Sequence, residues 1–157
     1  DLRMSRGLGD VYKRQCQHCE NPACLKVCPV GATYKDDMGR VEIHYDKCIG
    51  CRICMAACPY NARVFNWSEP ERDPNWNYGD KDVPVRPKGV AEKCTLCKER
   101  TDRGDIPMCV RVCPGRARVY GDLDDPESEI SKVVRENHAY QLLEEFGTRP
   151  QLRYYNA

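Results

Sequence analysis

Cys48-Ile-Gly-Cys51-Arg-Ile-Cys54-Met-Ala-Ala-Cys58-Pro59 carries four thiols in the spacing C-x2-C-x2-C-x3-C-P. That run is one by which cubane iron–sulfur clusters are held. The first three thiols converge on one small object only if the backbone wraps around it. Gly50 suits the wrap, because without a Cβ it takes up positive φ at no steric cost. Cys58 is carried off on the following turn and faces away from the other three. Pro59 has no N–H and stops the short helix that bears Cys58.

Composition agrees with a metal-held chain. The 157 residues include 12 Cys, 11 Pro and only 2 Phe, and mean hydropathy is −0.72. So little apolar material calls for staples, either disulfides or metal. Two C-P groups that close tight cysteine triplets, with a third quartet echoing them, favour metal over a disulfide framework. The net charge of +1 predicts no polyelectrolyte partner, nucleic acid included. No run of roughly 18 apolar residues exists that would cross a membrane as a helix.

Upstream lies Cys16-Gln-His-Cys19-Glu-Asn-Pro-Ala-Cys24-Leu-Lys-Val-Cys28-Pro29, a C-x2-C-x4-C-x3-C-P variant. His18 is expected to pack over a cluster or donate to a sulfur rather than to ligate. A hairpin follows, with a strand over 32–35, a turn at Asp36-Asp-Met-Gly39 and a return strand over 41–45 alternating with period two. His44 falls on its solvent side. A further strand is expected over 63–67. Residues 16–67 therefore read as a ferredoxin-like domain of two pseudo-symmetric halves in an α+β fold. In such two-cluster domains the fourth cysteine of each run ligates the other cluster. Cys16, Cys19, Cys24 and Cys58 then hold a first cluster, and Cys28, Cys48, Cys51 and Cys54 a second.

Residues 68–92 carry Pro70, Pro74, Pro84 and Pro87, which disfavour regular structure. Trp67, Trp76 and Tyr78 either form a docking surface or cover a cluster from water. Residues 93–120 hold Cys94, Cys97, Cys109 and Cys113. Here Pro107-Met-Cys109-Val-Arg-Val-Cys113-Pro114-Gly-Arg-Ala117 repeats the pattern of Pro22 to Ala32, an internal repeat that bears on architecture. The first copy is completed by residues 48–59; the second has no such partner and reads as an incomplete second ferredoxin-like half. Cys94, Cys97 and Cys109 then belong to a third, incomplete cluster and Cys113 to a fourth. Four [4Fe–4S] clusters take about sixteen thiolates, and the chain has 12, so one four-cysteine motif is expected upstream of Cys16. The alternative keeps these four cysteines on a single structural zinc. Residues 1–15 lack cysteine and apolar period, and read as a non-native or disordered segment. In 121–157, Ser128 caps an expected helix over 129–136, a second helix is expected over 139–146 ending at Gly147, and an extended tail follows that clamps the domain or a partner. His138 is a loop residue.

Taken together, the order from Cys16 to the C-terminus, with Cys48 to Tyr60, Lys93 to Arg100 and Gly121 to Ser131 as its other landmarks, resembles the iron–sulfur subunit of the dimethyl sulfoxide reductase family of molybdopterin oxidoreductases. The resemblance implies a four-cluster electron wire of anaerobic respiration, non-catalytic itself. It lies between a molybdopterin-containing catalytic subunit and an integral membrane anchor, as a peripheral subunit on a side of the membrane left open. A free-standing two-cluster ferredoxin and a zinc module are the alternatives. No acid–base or nucleophile constellation is legible. Lys26, Lys47, Arg52, Lys93, Arg111 and Arg116 stand close to ligands in sequence, where cations favour the reduced cluster.

Overall fold

The structure, a computed structural model, describes residues 15–71, 73, 75–76, 80–83 and 85–155. Its elements are short, because each runs only from one cysteine turn to the next. In chain order they are α1 (Ala23–Lys26), β1 (Thr33–Lys35), β2 (Val41–Ile43), α2 (Ile53–Ala56), β3 (Val64–Phe65), β4 (Ala91–Glu92), α3 (Lys98–Thr101), α4 (Met108–Arg111), α5 (Glu129–Glu136) and a 3-10 turn, Glu144–Phe146. β1 and β2 pair antiparallel with Thr33 opposite Ile43, and β3 and β4 pair antiparallel with Val64 opposite Glu92. α1 packs on α2 and β1. This is a small α+β architecture, as the sequence led us to expect.

One backbone path recurs at the three cysteine stretches. The residue before the second cysteine is left-handed each time, with φ 42° at His18, 68° at Gly50 and 53° at Leu96. Single helical turns (α1, α2 and α4) then carry Cys24, Cys54 and Cys109. Beyond each turn, the amides of Cys28, Cys58 and Cys113 donate to the carbonyls of Leu25, Met55 and Val110 at 3.2, 3.3 and 3.2 Å. Gly31, Asn61 and Arg116 return the chain with φ of 61°, 51° and 48°. Left-handed backbone costs a residue with a Cβ roughly 1–2 kcal/mol, so its use at His18 and Leu96 marks a path imposed by the thiols. At Gly50 there is a second constraint, since a Cβ would stand 2.3 Å from the Gly89 carbonyl oxygen.

β2 departs from the alternation expected over 41–45. It ends at Ile43, and Val41, Glu42 and Ile43 are all buried. The supposed solvent face is covered by Lys93, whose Nζ lies 3.9 Å from Glu42 Oε1. His44 is half-buried rather than solvated, its ring stacked on Tyr34 with centroids 4.0 Å apart. Regular structure also reaches into 68–92. Pro87 is the last proline there, so β4 is free to pair, and Asn66 extends the ladder by donating to Val90 and accepting from Gly89. Trp67 and Trp76 are 66% and 67% exposed; Tyr78, Pro74 and Pro84 lie outside the described residues, as do residues 1–14.

The tail starts as expected. α5 spans Glu129–Glu136, and Ser128 accepts from the Ser131 amide. No α-helix follows over 139–146. Tyr140 instead bridges antiparallel to Tyr154, and Leu143, with φ 51°, leads into the 3-10 turn that ends at Gly147. So short a helix is marginal alone, whereas the extended form docks on the first cysteine stretch. The Glu20, Asn21 and Gln151 amides donate to Arg149, Thr148 and Gln17 carbonyls at 2.8, 3.0 and 3.0 Å. Tyr60 Oη and Thr148 Oγ1 share a hydrogen bond of 2.6 Å.

Arg40 joins the hairpin to the third cysteine stretch. It is 3% exposed and donates to Asp36 at 2.7 Å, to Thr101 Oγ1 at 2.5 Å and to Asp102 at 2.5 Å. Burial would raise the Asp36 carboxyl, but Arg40's hydrogen bonds and charge hold it below the ordinary 3.8. A depressed carboxylate stabilises the fold above its unfolded pKa, and that contribution fades as pH falls through the lowered value. Arg40→Met strands buried acceptors and should cost about 2 kcal/mol. Thermal denaturation near neutral pH should show Tm down by roughly 4–8 °C; an unchanged Tm would mean that the staple contributes nothing.

Candidate metal centres

Cys28, Cys48, Cys51 and Cys54 line one cleft, beside Thr33, Ile43 and Arg63. Two distant stretches meet there: the turn after α1 supplies Cys28, and the wrap into α2 supplies the other three. The space they line, its open mouth included, is about 350 Å³. Burial alone would raise the Cys28 thiol, yet the Thr33, Val30 and Ala32 amides aimed at it bring it below the ordinary 9.0. Donors directed at a sulfur suit a charged, metal-bound thiolate.

Cys16, Tyr60 and Ala62 form a buried cluster against which Cys19, Cys58, Cys94 and Leu142 pack. Burial pushes the Cys16 thiol up to about 12, with Lys93 opposing and Cys94 and Cys24 adding to the rise. Cys19 is likewise raised, first by burial, and further by Cys24 and Cys58, against a lowering contact with Thr148. Cys16 and Cys19 thus both stand near Cys24 and Cys58, and Cys16 stands near Cys94 as well. In the third stretch burial raises Cys94, whose neighbours are Cys109 and Cys97. The Leu96 amide donates to Cys94 Sγ at 3.3 Å and the Met108 amide to Cys97 Sγ at 3.4 Å. Cys113 follows α4 through the same backbone turn by which Cys28 follows α1 and Cys58 follows α2. Among the described residues no group of three or more His, Cys, Asp or Glu side chains closes on a single ion.

Neutral buried thiols are the metal-free condition; a coordinating thiol gives up its proton outright. All-thiol donor sets gathered around a space rather than a point, with amides pointing at sulfur, fit a [4Fe–4S] cube. When bound, such a cluster takes up and releases single electrons.

Of the six cations that chain proximity suggested, one is buried beside the thiols. Lys26, Lys47, Arg52, Arg111 and Arg116 are exposed. Arg52 lies over the Trp67 ring at 4.9 Å and Arg111 pairs with Asp105 at 3.5 Å. Only Lys93 is buried; it donates to the Cys94 carbonyl at 2.8 Å. Beside it Glu42 is raised to about 7, by burial, against the lowering charge of Lys93. The cation that touches a cysteine sulfur is Arg63, five residues past Cys58 and outside any spacing rule: its Nη2 donates to Cys24 Sγ at 3.1 Å. The one available signal was an arginine on an expected strand that turns out to be buried. His18 does not take up one of its two expected roles, donation to a sulfur. It is 2% exposed, its Nδ1 accepts from the Val41 amide at 3.1 Å, and its Nε2 makes no hydrogen bond. Its left-handed backbone turns the ring toward β2, so neither nitrogen reaches a sulfur.

Residues 9–72 and 82–123 match the profile of the 4Fe-4S dicluster domain. A Halobacterium salinarum protein assigned as the iron–sulfur subunit of a dimethyl sulfoxide reductase is 60% identical, over 90% of this chain and 53% of its own length. A subunit of the selenate reductase of Mesobacillus selenatarsenatis is 46% identical, over 90% and 53%. The arsenate respiratory reductase iron–sulfur subunit of a Shewanella species is 40% identical, over 88% and 72%. The chain thus spans about half the length of the first two relatives. With thiols arranged for cubes and relatives that are iron–sulfur subunits, the chain belongs to the 4Fe-4S dicluster family, in the company of the iron–sulfur subunits of the dimethyl sulfoxide reductase family, and its cofactors are [4Fe–4S] clusters.

Proposed function

We propose that this chain is the electron-transfer part of a respiratory oxidoreductase, relaying single electrons between a quinol-linked membrane anchor and a molybdopterin-containing catalytic subunit. The observation that carries the reading is the cleft shared by Cys28 with Cys48, Cys51 and Cys54. It brings a thiol from one run to the three of the next, the exchange on which a two-cluster ferredoxin-like unit is built. Cys28, Cys48, Cys51 and Cys54 hold one cluster, and Cys16, Cys19, Cys24 and Cys58 hold the other. The recurring left-handed path supports reading residues 16–67 as two pseudo-symmetric halves and residues 93–120 as a further, incomplete half. Cys94, Cys97 and Cys109 are then three ligands of a third cluster, and Cys113 one ligand of a fourth.

The chain's own residues position and tune rather than catalyse. The Thr33, Val30 and Ala32 amides face Cys28, the Leu96 and Met108 amides hold Cys94 and Cys97, and buried Lys93 supplies positive charge between Cys16 and Cys94. Hydrogen bonds and charge at sulfur are the levers that set a cluster's potential. No helix among the described residues is long and apolar enough to cross a membrane, in keeping with a peripheral subunit that reaches the membrane through a partner.

Anaerobic reconstitution of this chain should yield about eight iron and eight sulfide in two robust cubes. Cys28→Ser should halve the iron, and Cys28→Ser with Cys48→Ser should halve it no further. Cys28→Ser with Cys16→Ser should abolish it, because the crossed assignment puts those two thiols on different clusters. If the Cys16/Cys28 pair behaves like either single variant, the exchange of ligands is wrong. In its native host, an affinity-tagged full-length form should co-purify with a molybdenum-containing subunit. Recovery without molybdenum would favour a free-standing ferredoxin.

A further inference from the structure

Arg63 is 2% exposed, and a buried guanidinium must find its counter-charge nearby. Among the described residues no carboxylate forms an ion pair with it. Its Nη1 donates to Thr33 Oγ1 at 3.1 Å and its Nη2 to Cys24 Sγ at 3.1 Å, while Nε has no partner. The same side chain lines the cleft that Cys54 shares with Cys28, Cys48 and Cys51. Cys24 and Cys54 sit on α1 and α2, which pack together, and Arg63 reaches both from the start of β3.

We propose that Arg63 is a positioning residue shared by the two clusters, donating to a sulfur of one and lining the cleft of the other, and so raising both reduction potentials together. The inference rests on the ligand assignment above, in which Cys24 and Cys54 belong to different clusters. A single cation between them acts on both, since each reduced cluster carries one more negative charge than its oxidised form and is favoured by a nearby donor. Lysine cannot replace it. An ammonium is a point charge on a flexible stem, whereas the planar guanidinium holds Thr33 and Cys24 at once and keeps its charge spread between the two sites.

The test is potentiometric titration of anaerobically reconstituted protein, followed by electron paramagnetic resonance, with iron and sulfide content measured in parallel. Arg63→Gln should cut the reduced-to-oxidised ratio of both clusters about tenfold at fixed potential, a fall of about 59 mV for a one-electron couple. Arg63→Lys should split them, one cluster holding its potential and the other falling. Arg103→Gln, which deletes an exposed charge, should move neither. With two clusters present, unchanged potentials in Arg63→Gln, or a shift of one cluster only, overturn the proposal. If Arg63→Gln takes up no iron, Arg63→Lys decides: a split supports the shared role and two unshifted potentials refute it. A wild-type chain without two clusters refutes the ligand assignment instead.

Discussion

Four thiols from two separated stretches have to surround one volume, and nearly every local feature of this chain follows from that. A short cysteine spacing wraps inward only if some residue adopts left-handed backbone, and the chain places one before the second cysteine at His18, Gly50 and Leu96. The helical turn that follows is too brief to be stable as a helix; it exists to carry the next cysteine and to throw the last one to the far side. β1–β2 and β3–β4 are correspondingly small, since they only return the chain between wraps.

The interior this leaves is polar to an unusual degree. Arg40, Glu42, Arg63 and Lys93 are buried alongside Val41, Ile43 and Val90. Buried charge is tolerated only where it is answered, and each of these has a different answer. Arg40 is met by Asp36 and Asp102, Lys93 by Glu42 and the Cys94 carbonyl, and Arg63 by sulfur. A protein with so few large apolar side chains has its folding tied to metal, because the binding free energy of the thiolates is in part folding free energy.

The C-terminal segment belongs to the same economy. It has no chemistry of its own, yet its strand-like return over Gln17 to Asn21 buries Pro150 and Thr148 and places a hydroxyl on Tyr60, beside Cys19 and Cys58. A part of the chain more than a hundred residues downstream thereby closes the environment of the first thiols.

Cysteine spacing, the C-P stops, the Gly50 turn, the internal repeat and the Ser128 cap were all legible along the chain, because each is a local rule acting over a few residues. The family likeness was legible for the same reason, as an order of local motifs. What lay beyond the sequence was set by contacts between distant segments. Glu42 is buried because Lys93 covers its strand, residues 139–146 form no α-helix because Tyr154 pairs with Tyr140, and Arg63 rather than the cations beside the cysteines reaches a sulfur because its buried side chain lies against Cys24. Spacing determined which thiols this chain offers to a cluster; only the packing of one stretch on another decided which charges would stand next to them, since burial and electrostatic distance are properties of the assembled fold.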